Sequence, residues 1–394
     1  MKILLVGQNL QIGGVQTALV NLVKTLINRE EFELDVFLFG EGELVKEVSN
    51  LARLYQGSKA LRLVATPFRE VLKSKKKMDI IYRILLMIMV RLMGSTRFYN
   101  WLFKKQKVLG PYDIAISYFN DVPHSHFNQG TNQYVLDYVE SPAKLAWIHT
   151  DPIEAGFEKE TSRKLYEGFT ALICVSNACA EKFKEFLPEF SHKIKTVYNL
   201  FPIEEIQEKA ELKQNIEINP SFLTFVTVTR VENGSKNLRR ISEVCRMLEK
   251  ESLKNYKWII VGDGPDLEKN RKEINEAGLT NRVDYIGSRA NPYPYIAESD
   301  LFILTSNYEG FPMVIQEAFI LGVPVLTTPY AAVKEQVKHG VNGIVTEMNV
   351  ESIFTHLKKI LEKPNSLDEL KANIQSSPVS NQLATDQLFN ILKN

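Results

Sequence analysis

The sequence predicts an α/β protein made of two doubly wound parallel sheets that face each other across a cleft. Two observations carry this expectation. Short runs rich in Val, Ile, Leu and aromatic residues alternate with longer helical stretches, the pattern of βαβ units whose strands are buried on both faces. The alternation starts afresh about halfway along the chain, and 394 residues suit two or three domains at ~100–200 residues each.

In the first half the runs fall at 2–6, 34–39, 61–65, 114–118, 144–149, 172–176 and 195–198, with a helix from about Gln16 to Ile27 after the first. Residues 199–220 hold no strand pattern and carry Pro202, Glu204, Glu205, Glu208 and Glu211, so the domain hinge is expected there. The runs then resume at 223–229, 258–261, 283–287, 301–305, 323–327 and 343–346. Domain one is thus read as 1–200 and domain two as 201–380, with a last helix in 381–394. Sheets of this kind bind ligands at the carboxyl ends of their strands.

Composition narrows the function. Apolar residues make up 44% and charged residues 24%, which excludes a disordered chain, a collagen-like one and a polytopic membrane protein. A net charge of +1 argues against a dedicated nucleic-acid binder. Cys174, Cys179 and Cys245 fit neither a zinc pattern nor a disulfide framework and read as small buried hydrophobes in a reducing compartment. The apolar run after Lys2 is too short for the core of a signal peptide and reads as a first buried strand, so the protein is not expected to be secreted.

Residues 68–107 break the pattern, with eleven basic side chains against two acidic ones. The seven apolar residues 84–90, fenced by Arg83 and Arg91, reach only ~10 Å as a helix and cannot cross a ~30 Å hydrocarbon core. A helix with Ile80, Ile81, Ile84, Leu85, Ile88 and Leu92 on one side and Arg83 and Arg91 on the other is expected to lie in the interface of an anionic membrane. A domain helix with a solvated basic face would leave Lys75, Lys76 and Lys77 and the pair Lys104 and Lys105 unexplained.

Three loops carry chemistry. After the first strand, Gly13 and Gly14 precede a helix, where backbone approach and free N–H groups suit a phosphate or a sugar hydroxyl, although a tight turn explains the pair equally well. Neither a dinucleotide fingerprint nor a Walker loop is present. After the strand at 223–229, Arg230 and Lys236 could converge on a diphosphate, or be incidental charges of a solvated loop. After the strand at 301–305, Glu309 stands in a loop and Glu317 on the helix that Pro312 opens and Gly322 ends, while Gly310, Phe311, Pro312, Met313 and Val314 surround its N-terminus. Two carboxylates there can accept bonds from sugar hydroxyls; a solvated Glu309 and a surface salt bridge for Glu317 are the alternatives. The pair His124 and His126 lacks the further ligands a metal needs.

Glu309 and Glu317 eight residues apart, set in Glu-Gly-Phe-Pro and followed by Gly322-Val323-Pro324-Val325, resemble the signature of the retaining two-domain GT-B glycosyltransferases of family 4. The resemblance extends to Val261-Gly262-Asp263-Gly264-Pro265, Arg230 with Lys236, Val175-Ser176, Tyr198-Asn199 and the Gly13-Gly14 loop, nearly the whole chain in order. It implies two Rossmann-like domains, with Arg230 and Lys236 on the donor diphosphate, Glu317 on the ribose and Glu309 on the transferred sugar. His149 would lie beside that sugar, and Asp151 would face the acceptor.

No Asp-x-Asp pair follows a strand, so cations and helix dipoles, and no metal or cofactor, are expected to meet the leaving diphosphate. The last helix would cross back to the first domain and help the cleft close. The implied function is transfer of a hexose or N-acetylhexosamine from a nucleotide-sugar, UDP before GDP, to a lipid-linked or polysaccharide acceptor, by an enzyme peripheral on the cytoplasmic face of the plasma membrane. A nucleotide-sugar epimerase of the same fold and an inactive glycan-binding relative are the alternatives. The paired glutamates and the basic segment argue against the first, and their retention with Arg230 and Lys236 against the second.

Overall fold

The structure, a computed structural model, describes residues 1–106, 109–121, 130–212, 219 and 221–393. It divides into two units, Met1–Leu200 with Gln382–Asn394, and Phe201–Asn381.

Among the described residues the first unit is built on seven strands, β1 (Lys2–Gly7), β2 (Glu33–Leu38), β3 (Arg53–Gln56), β4 (Ile114–Ser117), β5 (Ala143–Ile148), β6 (Ala171–Cys174) and β7 (Ile194–Thr196). They pair in the order β3-β2-β1-β4-β5-β6-β7, every pair parallel. The second unit has six, β8 (Leu223–Val228), β9 (Tyr256–Val261), β10 (Val283–Gly287), β11 (Leu301–Leu304), β12 (Val325–Thr327) and β13 (Gly343–Val345), in the order β10-β9-β8-β11-β12-β13. Ile3, Leu4, Leu5 and Val6 have no exposed surface, as expected of a central parallel strand covered on both faces. Both sheets reverse strand order once, between β1 and β4 and between β8 and β11. In doubly wound sheets ligands bind outside the carboxyl ends of the strands at such a reversal.

The helix Gln382–Lys393 packs on the first unit: Phe389 stacks on Phe32 at 5.8 Å, and the Tyr198 amide donates to Gln387 at 3.1 Å. The helix Ile203–Ala210 occupies the acidic stretch after Pro202 and belongs to the second unit.

Two expectations are corrected. The run 61–65 is not a strand but part of the helix Lys59–Ala65, capped by Ser58, whose hydroxyl accepts from the Leu61 amide. Ala60, Leu61, Val64 and Ala65 are buried at the i, i+1, i+4, i+5 spacing of one helix face. The strand beside β2 is instead Arg53–Gln56, a half-exposed edge without an apolar run. The second correction concerns Arg83. In the helix Lys77–Met93 it is buried on the inward face with Leu86 and Val90, three and seven residues on, and does not lie with Arg91 on the polar side. Burial pushes its guanidinium pKa down, with Tyr99 working against that.

Candidate functional site

The loops after β8 and β11 flank the strand-order reversal of the second unit, and the structure joins them directly. Lys236 Nζ donates to Glu309 Oε1 at 2.6 Å, and the Ser306 hydroxyl donates to the same oxygen at 2.6 Å. Glu309 is 11% exposed and Lys236 23%, so the pair is shielded but reachable, and a solvated Glu309 is not what forms. Arg230, in the same loop as Lys236, is exposed and makes no bond to either member of the pair.

That loop is held from both sides. Glu232 accepts from the Gly234 amide at 2.7 Å and from the amide and hydroxyl of Ser235. Burial pushes the Glu232 carboxyl up, but these bonds and the nearby Arg230 outweigh it and hold the pKa below the usual value. Asn307, next to β11, donates its amide to the Ser235 carbonyl at 2.7 Å and its side chain to the Gly234 carbonyl at 2.9 Å. On the β9 side, a Cβ on Gly262, whose φ is +155°, would lie 1.8 Å from the Thr229 carbonyl oxygen, and one on Gly264 2.1 Å from that of Val231. Only glycine lets the two backbones meet there.

Glu317 projects from the helix Met313–Ile320 and is 6% exposed, so it is not the surface salt bridge the sequence allowed. Burial pushes its carboxyl up to about 7. The helix begins at Pro312, and the first N–H groups after it, at Met313 and Val314, have no intrahelical acceptor. Phe311, Met313 and Val314 therefore surround a positive helix end one loop from Glu309, with Gly310 between. The far end is closed by Gly322 at φ +76°, where the Val323 amide reaches the Ala318 carbonyl at 2.9 Å and the Gly322 amide that of Phe319 at 3.0 Å.

In the first unit, Gly13 has extended backbone, φ −179°, and neither Gly13 nor Gly14 is among the positive-φ residues. That backbone is open to any residue, and a Cβ on Gly13 would lie 2.6 Å from Gln16 Oε1, within the same loop and helix start. His149, just past β5, is fixed twice: its amide donates to Asn120 Oδ1 at 2.9 Å, and its Nε2 meets the Tyr118 carbonyl at 2.8 Å. Burial pushes the imidazolium down to about 4, against the opposing effect of that carbonyl. A carbonyl only accepts, so neutral His149 carries its proton on Nε2 and leaves Nδ1 as an acceptor for a hydroxyl. Asp151 is buried and caps the turn that follows, accepting from the Ile153 amide at 2.8 Å and the Glu154 amide at 3.3 Å. These bonds make Asp151 the cap of its own turn. His124 and His126 lie outside the described residues.

Sequence reasoning passed over the residues that hold these loops: Asn120, Glu232 and Asn307. Glu232 had a signal, an acidic side chain two and three residues before Gly234 and Ser235 in a turn. Asn120 and Asn307 bond across the chain and leave none.

Residues 208–377 match the family model described as Glycosyl transferases group 1. An uncharacterized glycosyltransferase of Methanocaldococcus jannaschii is 28% identical over 194 residues, 47% of each chain. A UDP-Gal:alpha-D-GlcNAc-diphosphoundecaprenol alpha-1,3-galactosyltransferase of Escherichia coli is 27% identical over 233 residues, 57% of each. The chain spans about half the length of the curated relatives it matches. The crystal structure of Anabaena HepE in complex with UDP and glucose superposes with a TM-score of 0.72 at 19% identity, covering 100% of this chain and 99% of that one. The chain therefore has the GT-B fold of two Rossmann-like domains, the second of which carries the match to glycosyl transferases group 1 over residues 208–377.

Proposed function

We propose that the protein is a retaining glycosyltransferase that moves a hexose or N-acetylhexosamine from a nucleotide-sugar, UDP before GDP, to a lipid-linked or polysaccharide acceptor at the cytoplasmic face of a membrane. The observation that carries this reading is the Lys236–Glu309 pair at the β8/β11 reversal, with Arg230 in the same loop as Lys236 and with the helix Met313–Ile320, which carries the buried Glu317, starting four residues after Glu309. A cation and a carboxylate bonded to each other in the free protein can each take a new partner. The diphosphate takes Lys236, and a sugar hydroxyl takes Glu309.

In this reading Arg230, Lys236 and the free helix N–H groups meet the charge that grows on the leaving diphosphate, usually the largest catalytic contribution, without a metal ion. Glu317 accepts from the ribose hydroxyls and His149 Nδ1 from a sugar hydroxyl. The bond between the anomeric carbon and the diphosphate breaks, the acceptor oxygen bonds to that carbon on the same face, and its proton passes to the departing phosphate oxygen. Gly13 and Gly14 admit phosphate or sugar to the backbone, and the resemblance alone assigns Asp151 to the acceptor. The lipid-linked acceptor and UDP-linked donor follow the names of the Escherichia coli and Anabaena proteins.

The test is transfer from a panel of UDP- and GDP-linked hexoses and N-acetylhexosamines to an undecaprenyl-diphosphate-linked sugar, with the product anomer read by NMR. Transfer with the donor's anomeric configuration is expected. An inverted product contradicts the retaining mechanism, and epimerised donor formed without acceptor contradicts the transferase.

A further inference from the structure

Among the described residues fourteen large apolar side chains are exposed, and seven of them lie between Leu72 and Leu92. Such concentration in one short stretch is not the scattered surface apolarity ordinary in soluble proteins. Six of the seven, Met78, Ile81, Ile84, Leu85, Ile88 and Leu92, belong to the helix Lys77–Met93 and are 43–82% exposed. At 3.6 residues per turn they fall within an arc of about 120° and run about 21 Å along the axis. The opposite arc is fixed to the unit: Arg83, Leu86 and Val90 are buried, and Tyr82, Met89 and Met93 pack on the core. The helix is thus anchored on one face and presents a continuous apolar stripe on the other.

Charge selects what covers the stripe. Lys75, Lys76, Lys77, Arg91 and Arg97 are exposed around it, while the acidic neighbours are already engaged, Asp79 with Lys59 at 2.6 Å and Glu70 with Lys73 at 2.8 Å. A second copy of the chain laid on this face would set lysines against lysines. An anionic bilayer offers hydrocarbon to the stripe and negative headgroups to its rim. No helix among the described residues is long and apolar enough to cross a membrane, so the contact is one of lying in the interface.

We infer that the outward face of Lys77–Met93 inserts into the acyl layer of an anionic membrane, and that insertion, more than attraction of the lysines, holds the protein there. The inference rests on the reading that the acceptor is met at a membrane, and it says which surface meets it. Salt screens charge attraction but strengthens apolar burial, so the two contributions separate experimentally.

The test is flotation of the full-length protein with vesicles of phosphatidylcholine and phosphatidylglycerol, 3:1, in about 0.1 M and 1 M NaCl. The parent is expected to float in both. Combined Ile81→Ser, Leu85→Ser, Ile88→Ser and Leu92→Ser should lower the bound fraction at least tenfold in both salts. Combined Lys75→Glu, Lys76→Glu and Lys77→Glu should weaken binding mainly in low salt. A second readout does not depend on the fourfold variant: Leu85→Cys carrying an environment-sensitive dye should shift to the blue on vesicles, with the native cysteines buried from the reagent.

Flotation of the serine variant equal to the parent, or complete loss of parent binding in high salt, overturns the inference. So does a vesicle-free dimer of the parent that the serine variant dissolves. Donor hydrolysis without vesicles is measured alongside: turnover without flotation sinks only this inference, and flotation without turnover only the proposed function.

Discussion

Glu317 shows at the scale of one residue what the candidate site costs the free protein. Its carboxyl, normally ionised well below neutrality, is pushed up to about 7 by burial. The folded state therefore binds a proton that the unfolded chain has released. The stability this brings is present below the unfolded pKa near 4.5 and is lost as pH rises toward 7. Glu317→Gln removes the loss, worth up to about 3 kcal/mol at the full shift. Scanning calorimetry should find the variant's Tm above the parent's at pH 8 and nearly equal to it at pH 4. A variant no more stable at pH 8 would mean that bound water already solvates the carboxylate. His149 runs the other way, since its neutral form is the folded one at pH 7. Its place at a strand's end is read from the sequence, but nothing there says that Tyr118 and Asn120 would fix the ring and backbone.

At the scale of elements, the loops after β8, β9 and β11 behave as one piece. Gly262 is where that piece tolerates least, with a Cβ 1.8 Å from a backbone oxygen that no side-chain rotation can move. Gly262→Ala should lower Tm by several degrees and weaken nucleotide binding measured by calorimetry, because the Arg230–Lys236 loop must shift. An unchanged Tm and unchanged affinity would show that the loops are not coupled. The same scale explains what the sequence pattern conceals. An edge strand such as Arg53–Gln56 is half exposed and mixes polar with apolar residues, so it lacks the run that marks a central strand. The five residues at 61–65, four of them apolar, are too few to display a helical period, and only the Ser58 cap distinguishes them from a strand. Met313–Ile320 was legible at both ends because proline and glycine act through backbone geometry alone.

The whole molecule is balanced in charge only on paper. The net charge of +1 is the sum of a basic surplus of nine in residues 68–107 and a deficit elsewhere. Composition and amphipathic period together revealed that segment, but they assigned Arg83 to the wrong face. Which side of an apolar helix packs inward depends on the surface beneath it, here the core that receives Leu86 and Val90. A change of pattern placed one division at residue 200, and the separate last helix came only with the resemblance; the structure divides the chain into Met1–Leu200 with Gln382–Asn394 and Phe201–Asn381, and the two reversals of strand order follow from repeated βαβ units. The matched family model covers residues 208–377, within the unit that holds Arg230, Lys236, Glu309 and Glu317.

If Arg230, Lys236, Glu309 and Glu317 form one donor site, loss of the Arg230 guanidinium is felt in turnover and not in stability. Arg230 is exposed and lies outside the Lys236–Glu309 bond, so its removal leaves the fold's contacts in place. With the nucleotide-sugar the parent uses, Arg230→Ala should lower kcat/KM by about a hundredfold or more, the usual effect of removing one preorganised charge at a leaving group, at an unchanged Tm. Undiminished kcat/KM in a folded variant would mean that Arg230 is no part of the donor site.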